Sequence, residues 1–185
     1  MNYQLNKSHV INELNATLDN VSSQSVEQLL EMIESADRVF FVGVGRVLLS
    51  LQAIAKRLAH LGIQTCIVGQ ITEPAITAND LLIVGSGSGE SMFPLGIARK
   101  AKTFHAKVAH IGANPQSSMK EVSDLFIRIP VKTKLNLPSE TPSIQPMTSL
   151  FEQSLLLLGD ILALLLIEKR QINMDALWQF HANLE

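Results

Sequence analysis

Five short apolar runs, at 38–43, 64–69, 80–85, 107–112 and 124–129, punctuate the chain, and four of them end in glycine. Their centres, such as Val39-Phe40-Phe41-Val42, Cys66-Ile67-Val68 and Leu81-Leu82-Ile83-Val84, are continuously apolar rather than alternating. A strand with one wet face alternates every second residue, so an unbroken run needs cover on both faces, the condition of a parallel sheet. Helical patterns at 48–61 and 91–104 fill the intervals, with a short one at 118–122 opened by the capping-box spacing Ser118…Glu121. This alternation predicts an α/β fold: a doubly wound, five-stranded parallel sheet in a three-layer αβα sandwich. Helices expected at 8–18, 25–36, 149–168 and 174–182 would close over the sheet or join subunits.

A chain of 185 residues suits one domain with an ordinary core. We divide it into N-terminal helices (1–37), sheet core (38–130), loop (131–146) and C-terminal helices (147–185). Fifteen basic and 17 acidic residues, scattered, give a net charge of −2 and advertise neither nucleic acid nor an anionic membrane. The single cysteine, Cys66, excludes an internal disulfide and fits a reducing compartment as a small buried hydrophobe. Residues 1–8 are polar and hold no signal core, so a cytoplasmic protein is expected. The stretch 155–167 is nearly all leucine, isoleucine and alanine, but Asp160 interrupts it and it is too short to span a bilayer. Apolar on every side apart from Gly159 and Asp160, it is either buried between subunits or a central helix of the monomer. Pro130, Pro138, Pro142 and Pro146 make 130–146 a long surface loop leading into the helix that carries Glu152.

The chemistry concentrates in two glycine loops that follow strands. Gly85-Ser86-Gly87-Ser88-Gly89-Glu90-Ser91 joins the third strand to a helix. Its glycines let the backbone approach a ligand closely, while its hydroxyls and the helix-start amides supply donors suited to phosphate. A plain Ser/Gly surface turn is the alternative. After the first strand comes Gly43-Val44-Gly45-Arg46-Val47, which lacks the third glycine of a dinucleotide fingerprint, and Gln70 stands where an acidic residue would end the second strand. No Gly-Lys-Ser/Thr occurs, so nucleotide binding is not expected. His9, His105 and His110 have no carboxylate or cysteine at ligand spacing, and no metal site is expected. Glu152, beside Leu150, Phe151, Leu155 and Leu156, reads either as a desolvated base or as the acidic half of a capping box with Ser149. Arg46 suits sugar or phosphate oxygens, or a surface ion pair.

These residues, followed by Lys56-Arg57-Leu58-Ala59-His60-Leu61-Gly62, by Ser143-Ile144-Gln145-Pro146-Met147 with Leu150-Phe151-Glu152-Gln153, and by the ending His181-Ala182-Asn183-Leu184-Glu185, resemble the 6-phospho-3-hexuloisomerases of the sugar isomerase (SIS) fold. The resemblance runs from about Val39 to the C-terminus. It implies interconversion of D-arabino-hex-3-ulose 6-phosphate and fructose 6-phosphate, the step after formaldehyde fixation in the ribulose monophosphate pathway, by a homotetramer without metal or redox cofactor. It further implies Ser86, Gly87, Ser88, Gly89 and Ser91 as the phosphate loop, Gly45 and Arg46 as the first ligand loop, and Glu152 as base. His181, and alternatively His60, would open the sugar ring or shuttle hydroxyl protons, in the chain's own site or a neighbour's; a packing histidine and a helix-end cation are the other readings. Val47 stands where such proteins usually carry serine. Isomerases of other phosphosugars and non-catalytic sugar-phosphate sensors share the fold, but the residues before the first strand are too few and too little basic for a DNA-binding helix-turn-helix.

Overall fold

The computed structural model describes residues 2–184; Met1 and Glu185, the last residue of the C-terminal motif, lie outside them. Strands β1 (Val39–Val42), β2 (Thr65–Ile67), β3 (Leu81–Gly85), β4 (Lys107–Gly112) and β5 (Leu125–Arg128) form one parallel sheet in the order β2-β1-β3-β4-β5. Five helices surround it: α1 (Tyr3–Leu18), α2 (Ser23–Ser35), α3 (Gly45–Ala59), α4 (Met92–Thr103) and α5 (Ser149–Arg170).

The unbroken apolar runs are explained by two cores. Val39, Phe41, Leu81, Ile83, Ile111 and Ile127 join a core with residues of α2, α3 and α5. Phe40, Val42, Leu82, Val84 and Val108 join a second with α4 and Met119. The glycines that end β1 and β3 serve close packing: a Cβ on Gly85 would lie 2.8 Å from Val47 and 2.9 Å from Leu51, and one on Gly43 would lie 2.9 Å from Leu51. Helix α3 can therefore settle directly over the ends of both strands. Gly159 has a similar duty where α5 crosses α3, since a Cβ there would meet Ile54 at 2.2 Å.

Several boundaries differ from expectation. Helix α1 starts at Tyr3 rather than residue 8, because the Asn2 side chain accepts a hydrogen bond from the Leu5 N–H at 3.1 Å and caps it. Helix α3 starts at Gly45, so the first glycine loop is itself a helix N-terminus. The segments Ser118–Glu121 and Met174–Phe180 are 3-10 rather than α. Cys66 is only half-buried, on edge strand β2. At 22 residues α5 is, by length and composition, long and apolar enough to cross a membrane, which the shorter stretch 155–167 did not suggest. Leu155, Leu158, Leu162 and Leu166 of α5 are instead packed into the first core. Its other face leaves Leu157, Ile161 and Leu164 open at 37%, 39% and 61%.

Candidate active site

In the order β2-β1-β3-β4-β5, the chain leaves β1 and β3 toward opposite faces of the sheet, and the crevice between their carboxyl ends is where such sheets take ligands. Three segments meet at this edge: the start of α3, the serine loop after β3, and the turn after β4. The start of α5 joins them, for Phe151 packs 3.8 Å from where a Gly87 side chain would begin.

The serine loop is tied down from beneath. The Ser86 N–H donates to the Ile111 carbonyl (3.1 Å), and the Gly87 carbonyl accepts from the N–H groups of Ala113 (2.9 Å) and Asn114 (3.2 Å). The Ser88 carbonyl accepts from Asn114 Nδ2 at 3.3 Å, and the Ser86 carbonyl from His110 Nε2 at 2.9 Å. Ser86 is buried, and its hydroxyl oxygen accepts from the Gly89 N–H (3.1 Å) to hold the tight turn at Gly89, where φ is +69°. The exposed Ser88 hydroxyl accepts from the Glu90 N–H (3.2 Å), and the Glu90 carboxylate takes the Ser118 N–H (2.7 Å). Burial is minimal at Glu90, and that backbone bond holds its carboxyl below the usual range. Ser91 is the N-cap of α4, yet its side chain makes no capping bond. Among the described residues the N–H groups of Gly87 and Ser88 have no protein acceptor. The outcome is a loop whose Ser86, Gly87 and Ser88 carbonyls are spent inward and whose Gly87 and Ser88 amides remain, beside a helix N-terminus, for an anion.

Glu152 is 6% exposed, one turn into α5. The capping box does not form: the N-cap is Thr148, and the Ser149 hydroxyl turns to the Pro146 carbonyl at 2.8 Å. Glu152 is held instead by Thr148, whose hydroxyl donates to Oε1 at 2.6 Å, and by Arg46, whose Nε–H donates to Oε2. Ser50 donates to its backbone carbonyl at 2.9 Å. The neighbouring Leu150, Phe151 and Leu155 are buried in the core, whereas the carboxylate meets polar partners. Arg46, Leu49, Ser50, Ala53, Glu152, Gln153 and Leu156 line a cleft of about 220 Å³. Arg46 itself is largely exposed, an open cation leaning on a buried anion.

The histidines are placed elsewhere. His60 caps the far end of α3, about 21 Å along the axis from Arg46 at 1.5 Å per residue. His181 follows the last 3-10 segment and stacks on it, ring centroids 5.4 Å apart. The two share a cavity of about 560 Å³ with Arg57, Asp160, Leu164 and Trp178. The structure thus unites these residues with each other and not with Glu152 of the same chain. The helix rise alone accounts for the separation.

Sequence reasoning missed Thr148, Asn114, His110 and Glu13. The Glu13 carboxylate, on α1, accepts from the Ser143 hydroxyl (2.7 Å), the Ile144 N–H (2.8 Å) and Gln145 Nε2 (2.9 Å), fixing the end of the long loop just before α5. Burial opposes its ionisation, but these hydrogen bonds prevail and lower its pKa. Asn114 could have been found, since the turn after β4 must reach the same sheet edge as the serine loop.

The family model described as SIS domain matches residues 32–159. The chain is 40% identical over 178 residues to the 3-hexulose-6-phosphate isomerase of Bacillus subtilis, covering 96% of each. It is 36% identical over 180 residues to that of Mycobacterium gastri, covering 97% of this chain and 90% of the relative. A crystal structure of a hypothetical protein from Methanococcus jannaschii, for which a 3-hexulose-6-phosphate isomerase function was inferred, superposes with a TM-score of 0.83 at 27% identity, covering 97% and 99% of the two chains.

Proposed function

The chain belongs to the SIS-domain family, within it to the 3-hexulose-6-phosphate isomerases, and from that premise we propose that it converts D-arabino-hex-3-ulose 6-phosphate to fructose 6-phosphate through an enediol. The observation that carries the chemistry is a buried, oriented carboxylate, Glu152, which follows the Phe151 that packs against the serine loop at Gly87. The phosphate sits on the amides of Gly87 and Ser88 and the hydroxyls of Ser88 and Ser91. Gly45 and Arg46 face the sugar. Glu152 removes the proton from C2, electrons move to place a double bond between C2 and C3, and the C3 carbonyl oxygen gains a proton. Return of the carbon-bound proton to C3 and loss of the O2 proton give the C2 ketone, with no external oxidant or reductant. One carboxylate suffices for both carbon transfers, and Arg46 and Thr148 hold its plane fixed between them.

The hydroxyl protons need a second group, and we assign it to His181 or His60 of a neighbouring copy. Exposed Leu157, Ile161 and Leu164 share one face of α5 at helical spacing, while exposed Leu49 lines the Glu152 cleft and Leu164 the histidine cavity. A second copy laid antiparallel on this face would bring the histidine end of one chain to the Glu152 end of the other. We read the protein as a cytoplasmic homo-oligomer, a tetramer built on such pairs, with 1–185 as one domain and no cofactor.

The test supplies purified protein with the hexulose phosphate made in place from formaldehyde and ribulose 5-phosphate, and follows fructose 6-phosphate. No product, with phosphate still bound at the serine loop, would favour a sugar-phosphate sensor instead. Mixing a Glu152→Gln variant with a His60→Ala/His181→Ala variant, each inactive alone, should restore part of the activity through mixed oligomers. No recovery on subunit exchange would confine each site to one chain.

A further inference from the structure

His110 is 1% exposed and lies on β4 opposite Val84. Its ring packs against Phe126, with centroids 5.1 Å apart. A Cβ on Gly112 would lie 2.4 Å from its Nε2, and one on Gly89 would lie 3.1 Å from its Cε1. The ring thus fills the space beneath the serine loop. Its one hydrogen bond among the described residues runs from Nε2 to the Ser86 carbonyl at 2.9 Å. A carbonyl only accepts, so the proton is on Nε2. Burial pushes the imidazole pKa down, against a smaller opposing effect of that bond, which agrees with a neutral ring.

The loop has three carbonyls that could face an anion, those of Ser86, Gly87 and Ser88. Main-chain amides hold the second, and Asn114 Nδ2 helps with the third. Among the described residues only a side chain on the neighbouring strand holds the first. Were that carbonyl to rotate toward the crevice, it would put a partial negative charge beside the phosphate and turn the Gly87 N–H away, because the two belong to one planar peptide unit.

We propose that His110 is a positioning residue of the phosphate site: its Nε2–H pins the Ser86 carbonyl inward and thereby presents the Gly87 amide to the anion. The role rests on the phosphosugar reading of the serine loop. It predicts an effect on phosphate affinity and not on proton transfer, since His110 touches the loop and not the Glu152 cleft.

Two amide variants isolate the donor. His110→Gln can place its Nε2 where the imidazole Nε2 stands, whereas His110→Asn is one carbon too short. Binding of inorganic phosphate is followed through the Gly87 and Ser88 amide signals in 1H–15N spectra, alongside KM, kcat and thermal melting. His110→Asn should weaken phosphate and raise KM by about tenfold, the worth of one good hydrogen bond, with kcat within about twofold. His110→Gln should recover most of that loss although both variants melt earlier than wild type. Equal phosphate affinity in wild type and His110→Asn, or equal loss in both variants, would overturn the inference. Should His110→Asn not fold, wild-type spectra decide: a ring proton on Nδ1 rather than Nε2 refutes it. Wild type that binds no phosphate would overturn the reading of the loop and this role together, whereas inactivity toward the hexulose phosphate with phosphate binding intact would leave this inference standing.

Discussion

Two arginine–carboxylate pairs stand at opposite ends of the sheet. At the amino end, Asp80 just before β3 is 1% exposed and accepts from Arg38 Nε (3.0 Å) and Nη2 (2.9 Å), and from the Thr77 N–H (2.7 Å) and hydroxyl (2.8 Å). At the carboxyl end, Glu152 is nearly as buried but its carboxylate accepts, among the described residues, only from Arg46 and Thr148, and its partner arginine is largely open. Both carboxylates have left water; only the first has had its hydration fully replaced. A saturated pair locks the edge of a fold, while an unsaturated one retains lone pairs to offer a substrate.

The sharpest way to break this contrast is to neutralise each acid. Glu152→Gln keeps the shape but cannot take a carbon-bound proton, so turnover should fall by roughly 10² to 10⁴ while melting temperature and phosphate affinity stay near wild type. Retained turnover would remove Glu152 from the base role. Asp80→Ala should do the reverse, lowering stability by about 3 kcal/mol through an unpaired half-buried arginine, with kcat of the folded fraction unchanged. A denaturant titration that finds less than about 1 kcal/mol would place Asp80 among ordinary surface pairs.

Smaller effects sharpen the comparison. Ser88→Ala should raise KM by the worth of a hydrogen bond to a charged group, about 1.5 to 3 kcal/mol, and leave kcat alone. A parallel loss of kcat would tie the serine loop to the proton transfers. The mildest signature is in acid. Burial works against the Asp80 charge, but Arg38 and Thr77 outweigh it and hold its pKa below that of an unfolded chain. Its contribution should therefore be complete above about pH 4 and fade as pH falls through the lowered folded value. The Asp80→Ala variant should lose less stability than wild type over that interval; equal losses would deny the linkage.

The sheet was legible because an apolar run without alternation admits few alternatives, and each of the five expected strands lies where it was placed, within about two residues. The serine loop was legible because its seven residues are contiguous. What escaped notice was whatever depends on distance in three dimensions. Thr148 and Arg46 flank Glu152 from positions 4 and 106 residues away, and the second spacing carries no sequence signal. Of the two placements open to His60, the chain's own site conflicts with the rise of α3, which carries this residue to the far end of the helix. His110 was judged by metal spacing, although its partner is a carbonyl 24 residues earlier, brought above it by the strand register.

The Glu13 clamp also gives the molecule an order in time. Helix α1 is synthesised well ahead of its partners, for the groups that donate to Glu13 lie 130 to 132 residues later, and the helix it packs against follows them. At about 5 to 20 residues per second that interval is on the order of ten seconds, during which α1 lacks α5, the helix it packs against. The loop beside Glu152 is fastened to Glu13 only when residues 143–145 have emerged, so a nascent chain stalled before residue 143 can build most of the sheet yet lacks the clamp beside its site.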